Sequence, residues 1–338
     1  MHAAADVRPW IDGLIDAAPG LQARPNARRG VWRLGPISWL LGALAVALMS
    51  SGTALAAGPL HAVGVENEYA DVVAQIGGRY VRVTALETDP NTDPHSFEAS
   101  PAIARAIAAA NLVVRNGVGY DSWVARILSA APSAGRKVID VQSLLGLPDS
   151  APNPHVWYDP KTMPAVARAV AAALSALDPG EAGYFRANAR RLQASLAPWR
   201  QAIASFKARY GGTRVAVTEP VANDLLQAMG CDIATPLSLE TAIMNGTDPS
   251  PQDVATEEAL LTGHAVKVLV YNRQVTDTLT ESFLDLARRS GIPVVGVYET
   301  LPVPGYHYQS WMLAEVAALR QAVANKVSTE TLGKANVP

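Results

Sequence analysis

Along most of the chain, short apolar runs alternate with stretches where apolar residues recur at three- and four-residue spacing, so strands and helices are expected in turn. His61 to Glu66 reads as an opening strand. A helical stretch from Tyr69 to Ile76, a Gly77-Gly78 break and a strand over 80–86 follow it. A helix-like run from Pro101 to Ala110, a strand from Leu112 to Asn116, a helix from Trp123 to Leu128 and a strand from Lys137 to Val141 complete the first series. Strands this short and this uniformly apolar suit parallel sheets covered on both faces.

From Pro179 to Tyr210 the pattern changes. Phe185, Ala189, Leu192, Leu196, Trp199, Ile203 and Phe206 recur at alternating spacings of four and three, the period of one helix face. About 30 residues at helical rise give a rod of roughly 45 Å, and Pro198 predicts a kink near Ser195. Such a rod reads as a stiff connector between two halves; a helix buried within one domain is the alternative on pattern alone. The series then resumes with strands at Arg214 to Glu219, Cys231 to Thr235, Lys267 to Asn272 and Pro293 to Glu299. Helices are expected up to Met229-Gly230, over 252–262, from Leu279 to Ser290 and from Trp311 to Asn325. The fold class is therefore α/β: two parallel-sheet αβ domains joined by one long helix. An N-terminal lobe spans 57–178, the linker 179–210 and a C-terminal lobe 211–338.

The length of 338 residues leaves room for two such domains. A net charge of −2, with no basic cluster interleaved with aromatics, gives no reason to expect nucleic-acid binding. At the N-terminus, Arg28, Arg29 and Arg33 precede an apolar run from Ile37 to Met49, and Ala54-Leu55-Ala56 supplies a small-residue cleavage pattern. That run is about a dozen residues, against the roughly 20 that span a bilayer, so 1–56 reads as a cleavable export signal. Cys231 is the only cysteine, so neither an intramolecular disulfide nor a thiolate metal cluster can form. No cysteine stands at the cleavage site to carry a lipid. A soluble periplasmic monomer is expected.

Four metal-competent side chains occupy comparable places. His95 lies in Asp93-Pro94-His95-Ser96-Phe97-Glu98 and His155 in Asn153-Pro154-His155-Val156-Trp157, both in loops ahead of helices; Glu219 and Glu299 end expected strands. Ligands of open αβ sheets bind outside the carboxyl ends of the strands. Two domains facing each other there can bring two imidazoles and two carboxylates to one point, a donor set for Zn2+ or Mn2+. Each residue also has a plainer reading: a loop histidine exposed to water, Asp93 and Asp159 as turn or helix caps, Glu299 as an exposed strand end. Spacing alone leaves both readings open.

The chain resembles the solute-binding proteins of zinc and manganese ABC transporters over nearly the whole region after 56. The resemblance rests on the two histidine motifs, on Asn116-Gly117-Val118-Gly119-Tyr120-Asp121-Ser122-Trp123, and on Asp248-Pro249-Ser250-Pro251, where the family usually has Glu-Pro-Ser-Pro. It implies a two-lobed protein with a helical linker that captures a divalent metal between its lobes and delivers it to an ABC permease in the inner membrane. By position, His95 and His155 match the family's two N-terminal histidine ligands. Glu219 stands where zinc-binding members often have His and manganese-binding members Glu, and Glu299 where most members have Asp. A His-rich acidic loop common in zinc members is absent, which with Glu219 shifts weight toward Mn2+, while imidazole keeps Zn2+ competitive. Arg115 and Asn116 are expected to face the same cleft; His307, His61 and His264 read as structural. The alternatives are a metal-dependent hydrolase, which needs an open coordination position and a nearby base, and a binding protein for a small organic solute. A surface adhesin on the same fold is a third. No His-Glu-x-x-His pattern favours the hydrolase, and no enzymatic activity is expected.

Overall fold

The computed structural model describes residues 58–302 and 304–333; the export signal expected at 1–56 lies outside them. In the first half, β1 (Leu60–Glu66), β2 (Val81–Glu87), β3 (Leu112–Arg115) and β4 (Lys137–Asp140) form a parallel sheet in the order β2-β1-β3-β4. Helices α1 (Asn67–Gly77), α2 (Pro101–Ala109), α3 (Ser122–Ala130), α4 (Val141–Leu145) and α5 (Thr162–Leu177) lie between and after these strands. Helices α6 (Ala182–Ser195) and α7 (Ala197–Tyr210) lead to the second half. There β5 (Arg214–Val217), β6 (Asp232–Ile233), β7 (Leu269–Asn272) and β8 (Val294–Val297) repeat the first topology in the order β6-β5-β7-β8. Its helices are α8 (Asn223–Ala228), α9 (Leu237–Met244), α10 (Pro251–Thr262), α11 (Thr278–Arg289) and α12 (Tyr308–Asn325).

Alternation along each strand divides its side chains between two apolar layers. In the first sheet Ala62, Leu112 and Val114 join a large inner cluster, while Val63 and Val113 join an outer one with Ile107 and Trp123. In the second, Val215, Val217 and Val270 join the same inner cluster, and Ala216, Leu269 and Tyr271 pack outward against Phe283 and Leu284. The inner core thus runs continuously from one sheet to the other. It takes in Phe185, Leu192, Leu196, Trp199, Ile203 and Phe206, the stripe read from the sequence. The expected kink falls at Leu196 (φ −77°, ψ −7°), where α6 ends and α7 begins with Pro198 in its first turn. Proline lacks the N–H for an i−4 bond and its ring crowds that carbonyl. Close packing also needs Gly64: a Cβ there would lie 2.4 Å from the Ala70 nitrogen, so α1 approaches β1 only because that position is bare.

Two helices exceed the sequence reading, α4 and α9, and the strand expected over Cys231 to Thr235 shrinks to Asp232–Ile233. β6 is an edge strand, where pairing on one side only gives propensity little support. Pro236 at the cap of α9 then starts a helix that buries Leu239 and Ile243.

Several carboxyls are buried with this core. Burial pushes Glu315 up to about 8, although Trp311 Nε1 donates to it at 2.9 Å. It pushes Glu257, whose two oxygens have no partner, and Glu240 up to about 7. These acids keep protons in the folded chain that the unfolded chain gives up above about 4.5, so they stabilise most at low pH and less as pH rises through their folded values. His95, which burial brings down to about 4, acts in the opposite sense, but only between that value and its ordinary 6.5. The melting temperature of the metal-free chain in chelator is expected to be higher at about pH 5.5 than at about pH 8.5; the reverse order would show that these carboxyls ionise freely in the fold.

Candidate metal centre

Each histidine is held by its own loop. Asp93 Oδ1 accepts from the His95 backbone N–H at 2.8 Å and caps the single turn Pro94–Ser96. Asn153 Oδ1 accepts from the His155 backbone N–H at 3.1 Å and lies 2.9 Å from His155 Nδ1. One oxygen accepting from both groups requires the proton on Nδ1, which leaves the Nε2 lone pair free for a metal. Asn116 Nδ2 fixes the loop further by donating to the Pro154 carbonyl at 2.8 Å, and Tyr69 donates to Asn116 Oδ1 at 2.7 Å. Asn116 therefore acts behind the centre. Arg115 is engaged by Asp121 and Asp140 and makes no hydrogen bond to the donors.

The two loops meet the end of β8. His95 Nε2 and His155 Nε2 are 3.4 Å apart, and Glu299 Oε2 lies 3.4 Å from the first and 3.1 Å from the second. Bonds of ~2.0–2.1 Å from a tetrahedral Zn2+ would subtend edges of about 3.3–3.4 Å, so the three donors stand at coordination spacing. His155 and Glu299 have no solvent exposure, and the His95 side chain retains 19%. Glu299 Oε1 accepts from Asn272 Nδ2 at 2.6 Å and Oε2 from the Tyr120 hydroxyl at 2.8 Å. Burial pushes this carboxyl up, but His155, His95 and the Tyr120 hydrogen bond overcome it and bring it down to about 2. Tyr120 reaches the site through a turn with positive φ at Gly117 (81°), Val118 (52°) and Gly119 (79°). Glycine accepts this region freely, whereas a β-branched residue adopts it only under strain.

Glu219 stands apart from the group. Among the described residues, the three metal-competent donors within 4.8 Å of one another are those of His95, His155 and Glu299. Glu219 Oε2 accepts from Asn272 Nδ2 at 3.3 Å, its buried Oε1 has no partner, and its carboxyl is raised by burial and then by the charge of Glu299. Asn272 thus bridges the two carboxylates, with Glu299 inside the cluster and Glu219 behind it.

Gln274 was not anticipated from the sequence. Its Oε1 accepts from Glu299 N at 2.7 Å and Thr300 N at 3.1 Å, and its Nε2 donates to Thr92 O at 2.9 Å in the His95 loop. One buried amide therefore clips the loop of one half to the strand end of the other. Asn272 ends β7, at the point where the strand order reverses between β5 and β7, and a polar residue there was the available signal. Gln274, two residues beyond any strand, had none. His307 does not approach the donors: it caps α12 and pairs with Asp71 at 2.7 Å.

The chain matches the family model for the zinc-uptake complex component A, periplasmic, over residues 66–322. It is 24% identical over 242 residues to the manganese-binding lipoprotein MntA of Bacillus subtilis, covering 69% of this chain and 77% of that one. A Treponema pallidum protein described as metal-binding is 26% identical over 166 residues, 43% of this chain and 52% of its own length. The fold is similar to that of FpvC from Pseudomonas aeruginosa, solved in complex with Mn2+. The TM-score is 0.65 at 21% identity, over 79% of this chain and 99% of that one.

Asn153→Ala removes the acceptor that sets the His155 tautomer and is expected to weaken Zn2+ or Mn2+ binding about 10–100-fold by calorimetric titration; unchanged affinity would mean that the imidazole orients itself. Gln274→Ala strands two buried N–H groups and is expected to speed amide exchange across 88–97 and 299–300 about 10-fold or more, with the sheets unaffected. Uniform protection would show that the clip carries no load.

Proposed function

We propose, on the footing that the chain belongs to the family of the periplasmic zinc-uptake complex component A, that it captures Zn2+ or Mn2+ outside the cytoplasm and delivers the ion to an ABC permease. The convergence of His95, His155 and Glu299 at 3.1–3.4 Å, from two halves of the chain, carries the reading. His95 Nε2, His155 Nε2 and Glu299 Oε2 bind the ion, and Glu219 swings its unpartnered oxygen in as the fourth donor. Two imidazoles with two carboxylates suit a cation of intermediate hardness. Its relatives point the same way, one named for zinc uptake and one for manganese binding.

Ligation needs neutral imidazole and ionised carboxylate. The lowered values of His95 and Glu299 keep both in those forms at neutral pH, whereas burial and the charge of Glu299 work against the ionised form of Glu219. The lobes at 57–178 and 211–338 act as the two jaws, with 179–210 between them as the stiff member. Docking on the permease releases the ion by drawing the Glu299 segment away from the histidine loops, which breaks the donor set between lobes. A monomer suffices, because one chain supplies every donor.

Natively purified protein is expected to carry about one equivalent of Zn2+ or Mn2+ by elemental analysis, and His155→Ala to lower affinity at least ~100-fold. Glu219→His is expected to shift competitive titration toward Zn2+ by about 10-fold or more, since imidazole favours Zn2+ over Mn2+. A preference indifferent to that substitution removes Glu219 from the donor set; metal binding indifferent to His155→Ala removes the reading as a whole.

A further inference from the structure

Beside the histidine centre, the first half buries three further glutamates for which metal capture through His95 and His155 has no use. Glu66 ends β1, Glu87 ends β2, and the two are register partners on adjacent parallel strands, so their side chains leave the same face. Glu68 lies in the first turn of α1, which starts directly after β1. Their exposures are 1%, 3% and 0% for Glu66, Glu87 and Glu68. The four carboxyl oxygens of Glu66 and Glu68 have no hydrogen-bond partner, and Glu87 has only the Trp123 indole beside it, short of full hydrogen-bond geometry. Polar groups so enclosed are ordinarily paired, and three unpaired carboxyls together are costly.

The charges around them deepen the imbalance. Asp121 faces Glu66 and Glu87, Asp71 faces Glu68, and Glu299 faces Glu68 and Glu87. Arg115, the cation that faces Glu66, is already held by Asp121 at 2.6 Å and Asp140 at 3.4 Å. Glu87 also lines a cavity of about 260 Å³ together with Asp89, Thr92, Asp93 and Thr300, which offers an ion a way in.

We propose that Glu66, Glu68 and Glu87 form a second cation site that takes a hard divalent ion (Ca2+, Mg2+ or Mn2+) through the cavity at Glu87. The donors are carboxylate oxygens without nitrogen or sulfur, the set that hard cations prefer. Among the described residues these three are not already gathered as His95, His155 and Glu299 are; a cation draws their oxygens together by rotation about the glutamate side-chain bonds. Burial pushes Glu87 up to about 9 and raises Glu66 and Glu68 in the same direction, so the cation enters in exchange for protons. An ion here offsets charge next to Glu299. The proposal goes beyond the metal-capture reading and stands whichever ion the histidines take.

The test uses the whole chain loaded with one equivalent of Zn2+ and then titrated with Ca2+, an ion that imidazole does not favour. Calorimetry is expected to show about one further equivalent bound, with a rise in Tm of about 3 °C at saturating Ca2+. The triple variant Glu66→Gln/Glu68→Gln/Glu87→Gln is expected to lose both responses and keep its Zn2+ isotherm. Glu87→Gln alone, the milder change should the triple fail to fold, is expected to weaken Ca2+ at least ~10-fold. No Ca2+ response from the Zn2+-loaded chain at ~10 mM, or a response that survives Glu87→Gln, overturns the second site. Zn2+ titration reads the histidine centre separately, so either site can fail alone.

Discussion

An ionised carboxylate shut off from water survives only where donors and positive charge replace its hydration, and Glu299 is the residue on which this constraint falls hardest. Its oxygens accept from both halves of the chain, from Asn272 on one side and from Tyr120 on the other, with His155 Nε2 3.1 Å away. Neither half alone could bury that charge. The carboxylate therefore ties docking of the two sheets to the assembly of a cation site, because what stabilises its charge is also what would coordinate or brace a metal.

The surrounding architecture is correspondingly stiff. A single apolar cluster runs through both sheets, the broken linker rod and the C-terminal helix, with Trp199 edge-on to Tyr308 at 5.8 Å and the Tyr308 hydroxyl donating to the Trp157 carbonyl. Interfaces between domains that permit free hinge motion are smaller and more polar. A packed core of this kind favours rearrangement of the loops over a wide opening between the two sheets. There the 88–97 loop and the segment after β8 are joined through Gln274, which bonds Thr92 O, Glu299 N and Thr300 N, while the His95 ring packs edge-on to Tyr120.

The same strand ends gather acids well beyond those a single metal needs. In open parallel sheets, the carboxyl ends of strands are where side chains from different elements converge, so successive polar residues there inevitably share one electrostatic environment. Glu66 and Glu87 on one sheet and Glu219 and Glu299 on the two sides of the other sheet's switch point lie within that environment. The histidines offset part of it near Glu299. Around Glu66, Glu68 and Glu87 no comparable group does so, and their carboxyls rise accordingly.

Local pattern by itself determined the alternating elements, the parallel sheets, the break at Pro198 and the two histidine loops, since periodicity, proline geometry and turn chemistry act within a few residues. Loop and strand-end positions singled out the four candidate donors, and the family resemblance matched each of them. Tertiary structure alone decided that Glu299 sits against both imidazoles while Glu219 waits behind Asn272, because side chains 144 residues apart meet only after both sheets have packed. It alone disclosed Gln274, whose partners lie 25 and 182 residues away, and the burial of Glu66, Glu68 and Glu87, which in the sequence look like ordinary acids at strand and helix ends. Charge and hydrogen bonding at a site depend on distance through space, and a linear pattern carries no measure of that.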